Sequence, residues 1–233
     1  VAEYKPDIVA FSCSTGSEAW YLALARELKK RIPVTIIMGG PHPTFFPDVI
    51  REGPLDIICR GEGDEAIVAI ADMVASGNLR SDIANCWFAR GGEVIKNEVR
   101  PLIKDLDALP VPDRAIYDTK YPFLQNDSFI MFTGRGCPFD CSYCFNKALK
   151  ELYGNKGVYV RKRSVDSVID ELRRALASRK IRIVYFQDDT FFYTIGWLRE
   201  FAEKYAKAIN LPYICLLRVE QISEESVKLL KGS

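Results

Sequence analysis

Three cysteines lie within eight positions of one another in the stretch Gly134–Phe145, which reads GRGCPFDCSYCF. They are Cys137, Cys141 and Cys144, and their spacing is C-x3-C-x2-C. Thiolates are good ligands for soft and borderline metals. The spacing therefore raises three kinds of chemistry for this loop: a metal site, a redox-active thiol pair, or an iron–sulfur centre.

The first two alternatives leave part of the pattern unused. Structural zinc usually takes four protein ligands, and the only histidine, His42, lies in a different part of the chain. A redox pair of Cys141 and Cys144 leaves Cys137 without a role and lacks the thioredoxin context.

Among iron–sulfur centres, a ferredoxin-type cluster needs a fourth thiolate at a suitable spacing. The next cysteine here is Cys215, 71 residues after Cys144. Three thiolates can instead hold three irons of a cubane [4Fe–4S] cluster and leave the fourth iron without a protein ligand. An open metal position is what a catalytic metal site requires.

Four further cysteines are scattered singly in apolar stretches, and seven in total is an odd number. This distribution argues against the disulfide framework of a secreted protein. We expect Cys13, Cys59, Cys86 and Cys215 to be small buried hydrophobic residues.

The elements around the triad predict a barrel-type arrangement. SFIMFTGRG is a strand that enters the cysteine loop, and SVDSVIDELRRALASRK is a helix with Ser164 as its N-cap. IRIVYFQDDTFF and LPYICLLRVEQI read as two more strands, each followed by a helical pattern. Three βα units fit a barrel whose chemistry collects at the strand C-termini. Because three units do not close a barrel, we expect the remaining strands beyond Ser233.

The first half of the chain shows a different rhythm. DIVAFSCS, VTIIMGG and LDIICRGEG read as buried strands separated by helical patterns, which predicts a doubly wound parallel sheet with ligands beyond the strand carboxyl ends. CWFARGGEVIK reads as a hairpin around two glycines. The predicted domains are 1–104 and 128–233, joined by a linker over 105–127 that contains Pro110 and Pro112.

Composition gives general limits. The chain has 233 residues, 48% apolar and 27% charged, with a formal net charge of +1, so nothing attracts nucleic acid or a membrane surface globally. No apolar run reaches the roughly 18 residues of a membrane helix, and the N-terminus shows no signal pattern. We predict a cytoplasmic protein without a nucleic-acid or membrane partner.

The cysteine spacing, its place after a strand and the aromatic Tyr143 before the last cysteine resemble the radical S-adenosylmethionine (radical SAM) superfamily. The resemblance implies that Cys137, Cys141 and Cys144 ligate a [4Fe–4S] cluster and that SAM binds the open iron and is cleaved to a 5′-deoxyadenosyl radical. It also implies an electron donor such as flavodoxin or ferredoxin, and a small-molecule substrate.

The same resemblance assigns residues to SAM. Tyr143 is expected near the adenine. The position of the family's Gly-Gly-Glu-like stretch holds Gln187, Asp188 and Asp189 here, a departure from the pattern, and these residues are candidates for the SAM amine. Arg218, predicted on the third strand, is the candidate for the SAM carboxylate.

PDIVAFSCST, IIMGGPHPTFFP, DIICRGEGDEAI and DLDALPVPDR resemble, in that order, the cobalamin-binding domain that precedes the barrel in one radical SAM class. That class contains methyltransferases and anaerobic oxidative cyclases. The resemblance implies cobalamin binding, with candidates in two neighbouring strand ends: Ser12, Ser14, Thr15, Gly39 and Gly40. The chain has no Asp-x-His-x-x-Gly motif, and His42 is expected to be a loop residue. The opening resembles the end of a first helix, so we expect a truncated N-terminus.

These features favour a radical SAM enzyme that uses cobalamin for methyl transfer or oxidative cyclisation at an unactivated carbon. Two alternatives stay open. A methylthiotransferase would need a second cluster, for which Cys13, Cys59 and Cys86 are loosely placed. A non-catalytic electron carrier would need a cluster with four protein ligands.

Overall fold

A computed structural model describes residues 4–114 and 127–233, which form two compact units. The first unit contains the described residues up to Leu102 together with Lys147–Gly157. The second contains the described residues of Ile103–Asn146 and Val158–Ser233. The predicted domain limits stay a prediction, and residues 115–126 of the predicted linker lie outside the described residues.

The first unit is built on a mixed five-stranded sheet whose strand order follows the chain order. Strands β1 (Ile8–Ser12), β2 (Thr35–Gly39) and β3 (Ile57–Cys59) are parallel, and Ile8 lies opposite Thr35 in the register of the first pair. The antiparallel strands β4 (Cys86–Arg90) and β5 (Glu93–Lys96) complete the sheet and form the hairpin predicted around Gly91 and Gly92.

Helices cover both faces of this sheet. Helix α1 (Glu18–Arg31) buries Leu22, Ala25 and Leu28 in one core, together with a 3₁₀ helix (Pro47–Arg51). Helix α3 (Asp64–Ser76) buries Ala66, Ile70 and Met73 in a separate core. Between β2 and β3 lies the short helix α2 (Pro41–Phe45). This arrangement confirms the predicted doubly wound α/β fold.

The second unit contains a parallel sheet of three strands in the order β10-β9-β6. They are β6 (Ser128–Met131), β9 (Ile183–Phe186) and β10 (Tyr213–Cys215). Helices α5 (Val165–Ser178), α6 (Ile195–Ala208) and α7 (Glu224–Lys231) follow the strands. This βα arrangement confirms the expected first part of a radical SAM barrel.

A small antiparallel ribbon flanks the cysteine loop in this second unit. It pairs β7 (Gly134–Arg135) with β8 (Arg161–Lys162), and helix α4 (Phe145–Tyr153) begins directly after Cys144. The ribbon holds both ends of the segment that carries the three cysteines, so the loop leaves and re-enters regular structure at fixed points.

One apolar face of the three-stranded sheet is packed against α5 and α6. Phe186 contacts Phe191, Phe201 and Tyr205 at ring-centroid distances of 4.8 to 6.2 Å, which is the range of favourable aromatic pairs. Helix α5 begins as predicted, because the Ser164 hydroxyl accepts a hydrogen bond from the Ser167 amide at 3.1 Å.

Over residues 4–114 and 127–233, no helix combines the length and the apolar character that crossing a membrane requires.

Candidate functional site

The three cysteines of the motif lie between β7 and α4, and none of them forms a disulfide. Cys137 is buried, whereas Cys141 and Cys144 are partly exposed. The Cys144 amide donates to the Cys141 carbonyl at 3.0 Å and closes a tight turn between the last two thiols. The loop thus presents two accessible sulfurs from one turn and a third from its buried start.

Two side chains donate hydrogen bonds to these sulfurs. Arg218 Nη1 lies 2.8 Å from Cys141 Sγ, and Asn146 Nδ2 lies 3.4 Å from Cys144 Sγ. Hydrogen-bond donors beside metal-binding side chains orient those side chains. Within the described part of the chain, no three His, Cys, Asp or Glu side chains converge into a finished ligand set. The donor set nevertheless fits an iron–sulfur cluster in its chemistry, because the loop carries three thiols outside any disulfide and hydrogen-bond donors lie beside Cys141 and Cys144.

Asn146 makes several hydrogen bonds beside the cysteine loop, and the sequence analysis did not identify it. Its side chain is only 2% exposed, and besides Cys144 it donates to Asp189 Oδ2 at 3.1 Å. Its carbonyl oxygen accepts from the Tyr159 hydroxyl at 2.5 Å. The signal available in the sequence was an amide residue two positions after the last cysteine.

The three polar residues after β9 separate into two groups. Gln187 and Asp189 are exposed, but Asp188 is 2% exposed and points into the unit. Asp188 Oδ1 accepts from the amide and hydroxyl of Thr133 at 3.0 and 2.9 Å, and from Lys162 Nζ at 3.2 Å. In this structure Asp188 makes its contacts inside the unit, and its role toward SAM stays a prediction.

Lys162 is the buried partner of Asp188. Its ammonium also donates to the Thr133 hydroxyl and to the Phe191 carbonyl, and it lies 4.4 Å from the centre of the Trp197 ring. Burial lowers the pKa of Lys162 to about 8, even though the Asp188 carboxylate acts in the opposite direction. Burial likewise raises the pKa of Asp188 against the effect of Lys162. Desolvation thus outweighs the attraction within the pair.

Arg218 lies beyond the third strand rather than on it, because β10 ends at Cys215. It precedes a 3₁₀ turn (Val219–Gln221), and its guanidinium carbon lies 4.1 Å from the centre of the Phe139 ring. Hydrogen bonding to Glu220 raises the pKa of Arg218. Arg218 is the one predicted SAM residue that touches a cysteine sulfur directly in the described structure, while Tyr143 is 91% exposed.

The first unit contains a separate cavity of about 410 Å³ at the carboxyl ends of β1, β2 and β3, on the face covered by α3. Three of the predicted cobalamin residues line it, namely Ser12, Gly39 and Gly40. The sequence analysis missed the loop after β3. Gly61 and Gly63 of that loop also line the cavity, and the glycine pair at the strand end was the signal for them.

Gly40, which lines the cavity, lies where a side chain does not fit. Its φ is +96° and its ψ is −173°, a region that only glycine occupies readily. A Cβ atom at Gly40 would lie 2.8 Å from both the amide nitrogen and the carbonyl oxygen of Cys13. Gly40 therefore lets the backbone after β2 pack directly against the Cys13 backbone at the edge of the cavity.

The other predicted cobalamin residues lie apart from the lining. Ser14 and Thr15 are exposed in the segment before α1, and Thr15 Oγ1 lies 3.3 Å from His42 Nδ1. His42 is not a loop residue, contrary to the expectation, because it lies in α2 and is 8% exposed. The prolines at positions 41 and 43 suggested a loop, but Pro41 occupies the first turn of α2, where proline is tolerated.

The isolated cysteines of the first unit confirm the expectation of burial. Cys13 is completely buried in the core on the α1 face, whereas Cys59 and Cys86 lie opposite each other on β3 and β4 in the other core. The Cys86 thiol donates to Cys59 and lowers the pKa of Cys59. Because these thiols lie on two faces of the sheet, they do not form the second triad that a methylthiotransferase would require.

Two family models match different parts of the chain. Residues 1–71 match the B12 binding domain, and residues 131–233 match the radical SAM superfamily. The two matches lie in the same order along the chain as the cavity and the cysteine loop.

Individual proteins also match the chain in sequence. The chain is 31% identical over 204 residues to an uncharacterized methyltransferase of Pyrococcus horikoshii, covering 82% of this chain and 41% of that protein. It is 33% identical over 159 residues to the anaerobic magnesium-protoporphyrin IX monomethyl ester cyclase of Rubrivivax gelatinosus, covering 62% of this chain and 28% of that protein. The chain thus spans less than half the length of these relatives.

The fold is similar to that of a solved structure. The radical S-adenosylmethionine methyltransferase TsrM from Kitasatospora setae matches with a TM-score of 0.72 at 16% identity, over 99% of this chain and 48% of that chain. At this identity the likeness concerns the fold alone.

Proposed function

We propose, from the premise that this chain belongs to the radical SAM superfamily and carries a B12-binding domain ahead of its radical SAM region, that it uses a [4Fe–4S] cluster, SAM and cobalamin in one reaction. The family is one of enzymes. The observation that carries the proposal is the loop with three thiols outside any disulfide, in which Cys141 and Cys144 accept hydrogen bonds from Arg218 and Asn146.

Cys137, Cys141 and Cys144 would hold the cluster, and they leave one iron position for another ligand. When bound, such a cluster supplies the electron for reductive cleavage of SAM. Asn146 keeps the Cys144 sulfur oriented by donating to it, and Tyr159 fixes the Asn146 amide in turn. The protein would therefore hold the sulfurs and their hydrogen-bond donors in fixed positions relative to one another.

The residues around the loop fit the charges of SAM. Arg218 places a guanidinium beside Cys141, where it can pair with the SAM carboxylate. Asp189 and Gln187 are the exposed acceptors after β9 that suit the SAM ammonium. Tyr143 offers an exposed ring for the adenine. Asp188 acts one step removed, because it anchors Thr133 and Lys162 beneath these residues.

Cobalamin is assigned to the cavity of the first unit. Gly39 and Gly40 let a ligand approach the backbone, and Ser12 adds a hydroxyl at the end of β1. Ser14 and Thr15 would act only at the outer margin of this site. The strand-end position is where ligands bind in open α/β sheets.

The proposed reaction is methyl transfer to, or oxidative cyclisation of, an unactivated carbon in a small molecule. The first relative named above is a methyltransferase and the second a cyclase, so both outcomes stay within the proposal. An electron donor such as flavodoxin or ferredoxin and a cytoplasmic location belong to the same proposal, since reduction of the cluster needs a low-potential donor.

The test is anaerobic reconstitution of the full chain with iron and sulfide. We expect about four irons per chain, a cluster spectrum that changes when SAM is added, and release of 5′-deoxyadenosine. Cys137→Ala, Cys141→Ala and Cys144→Ala should each abolish the SAM response, whereas the matched control Cys215→Ala should keep it.

Two results would replace the proposal. About eight irons per chain would indicate the second cluster of a methylthiotransferase. A reconstituted cluster whose spectrum ignores SAM, with no cleavage, would indicate an electron carrier.

A further inference from the structure

The loop after β3, which lines the cavity, is held in place by several hydrogen bonds. Asn85 holds Arg60 on both sides: the Asn85 carbonyl accepts from the Arg60 amide at 2.9 Å, and its side chain donates to the Arg60 carbonyl at 2.7 Å. The Gly61 amide donates to Thr44 Oγ1 at 3.0 Å. Each of these partners comes from the N-terminal part of the chain.

The next amide in this loop is satisfied from a distant part of the chain. The Glu62 amide donates to the Tyr153 hydroxyl at 2.6 Å, and the two residues are 91 positions apart. Tyr153 is the last residue of α4 and is 3% exposed. Removal of this acceptor would leave a partly buried donor without its hydrogen bond.

The packing at this contact is as close as the hydrogen bond. A Cβ atom at Gly61 would lie 2.1 Å from the Tyr153 hydroxyl oxygen. The absence of a side chain at Gly61 therefore makes room for this tyrosine behind the cavity wall. Gly61 and Gly63, on either side of Glu62, both line the cavity.

The segment that carries Tyr153 is anchored independently of this contact. Lys156 Nζ donates to Glu98 Oε2 at 3.1 Å and to the Val99 carbonyl at 2.7 Å, and the Leu102 amide donates to the Lys156 carbonyl at 2.8 Å. These bonds make Lys147–Gly157 an integral part of the first unit.

We propose that Tyr153 is a positioning residue for the ligand cavity of the first unit: it fixes the Gly61–Gly63 wall in the shape that binds cobalamin. The inference rests on the proposed assignment of cobalamin to this cavity. It means that the B12 site is completed by a segment located after the cysteine motif in the sequence. A wall that must be ordered on binding would reduce the affinity.

The test measures hydroxocobalamin binding to the full chain by spectrophotometric titration, alongside hydrogen exchange of the Glu62 amide without ligand. Tyr153→Phe keeps the ring and removes only the acceptor. We expect about fivefold weaker binding, the equivalent of one ordinary hydrogen bond, and faster exchange at Glu62. Tyr153→Ala should weaken binding further. Tyr21→Phe is the matched control in the same unit and should change neither quantity.

The outcomes separate the inference from its premise. If the unaltered chain binds hydroxocobalamin and Tyr153→Phe binds it equally well, Tyr153 does not position the wall and the inference fails. If the unaltered chain does not bind hydroxocobalamin, the cobalamin assignment itself fails, and the role of Tyr153 falls with it. Slow Glu62 exchange in Tyr153→Phe would likewise contradict the inference.

Discussion

In the first unit, glycines at the ends of β2 and β3 line the cavity together with apolar side chains, and a Cβ atom at Gly40 would clash with the Cys13 backbone. In the second unit, the cysteine loop is surrounded by side chains: Arg218 and Asn146 on the sulfurs, and the buried pair of Lys162 and Asp188. A site lined by several glycines suits a large ligand that is held by its shape. A side-chain site can adjust the charge around a reactive centre, which suits redox chemistry.

The largest effect is expected when the side-chain network of the second unit is disrupted at Lys162. Lys162→Met should destabilise the second unit by about 3–5 kcal/mol, because it leaves the Asp188 carboxylate buried without its cation. Hydrogen-exchange protection of the β9 and α6 amides measures this loss. Lys207→Met, which removes an exposed partner of Glu203, is the control and should leave the stability almost unchanged, because an exposed ion pair contributes little.

A second substitution tests whether the unpaired charge causes the loss. Combining Lys162→Met with Asp188→Asn removes that charge and should recover part of the stability. A Lys162→Met protein as stable as the unaltered chain, or a double variant less stable than Lys162→Met, would contradict the account of the buried pair.

The next largest effect is expected at the glycine-lined cavity of the first unit. Gly40→Ala should destabilise the first unit by about 1–3 kcal/mol through the strained φ alone, and the clash with Cys13 should abolish cobalamin binding. Thermal unfolding and hydroxocobalamin titration measure the two effects. Gly39→Ala is the control for stability, because its Cβ would meet its nearest neighbours at 3.9 Å. Equal unfolding temperatures of the two variants would show that Gly40 needs no special conformation.

The same contrast explains what the sequence could predict. The cysteine triad, the strand ends and two of the cavity glycines, Gly39 and Gly40, were found because each is a local pattern of spacing. The burial of Asp188 between exposed Gln187 and Asp189 continues the alternation of β9, in which Phe186 is buried, so period-two reasoning could have found it.

The contacts that complete both sites were out of reach. Lys162 meets Asp188 across 26 residues, and Tyr153 meets Glu62 across 91. Neither pair has a spacing that marks it, since the partners become neighbours only once the strands and helices have packed.

A smaller effect concerns pH. The folded-state pKa of Lys162, about 8, lies below its ordinary value of 10.5. Between these values the unfolded chain binds more protons than the folded chain, so the contribution of Lys162 to the free energy of unfolding rises with pH. Urea unfolding at pH 7.5 and 9.5 should show that the unaltered chain gains stability relative to Lys162→Met. A constant difference between the two proteins would place the folded-state pKa outside this window.

The smallest effect concerns the reduction potential of the reconstituted cluster. Asn146→Ala removes a donor to the Cys144 sulfur, and such donors stabilise the more negative, reduced state. We expect the potential to fall by a few tens of millivolts, the scale of one hydrogen bond for a one-electron couple. Asn146→Asp should lower it further by adding a negative charge, whereas the exposed Asn155→Ala should leave it unchanged. Redox titration followed by electron paramagnetic resonance decides this, and equal potentials in all four proteins would mean that the side chains near the loop only hold its shape.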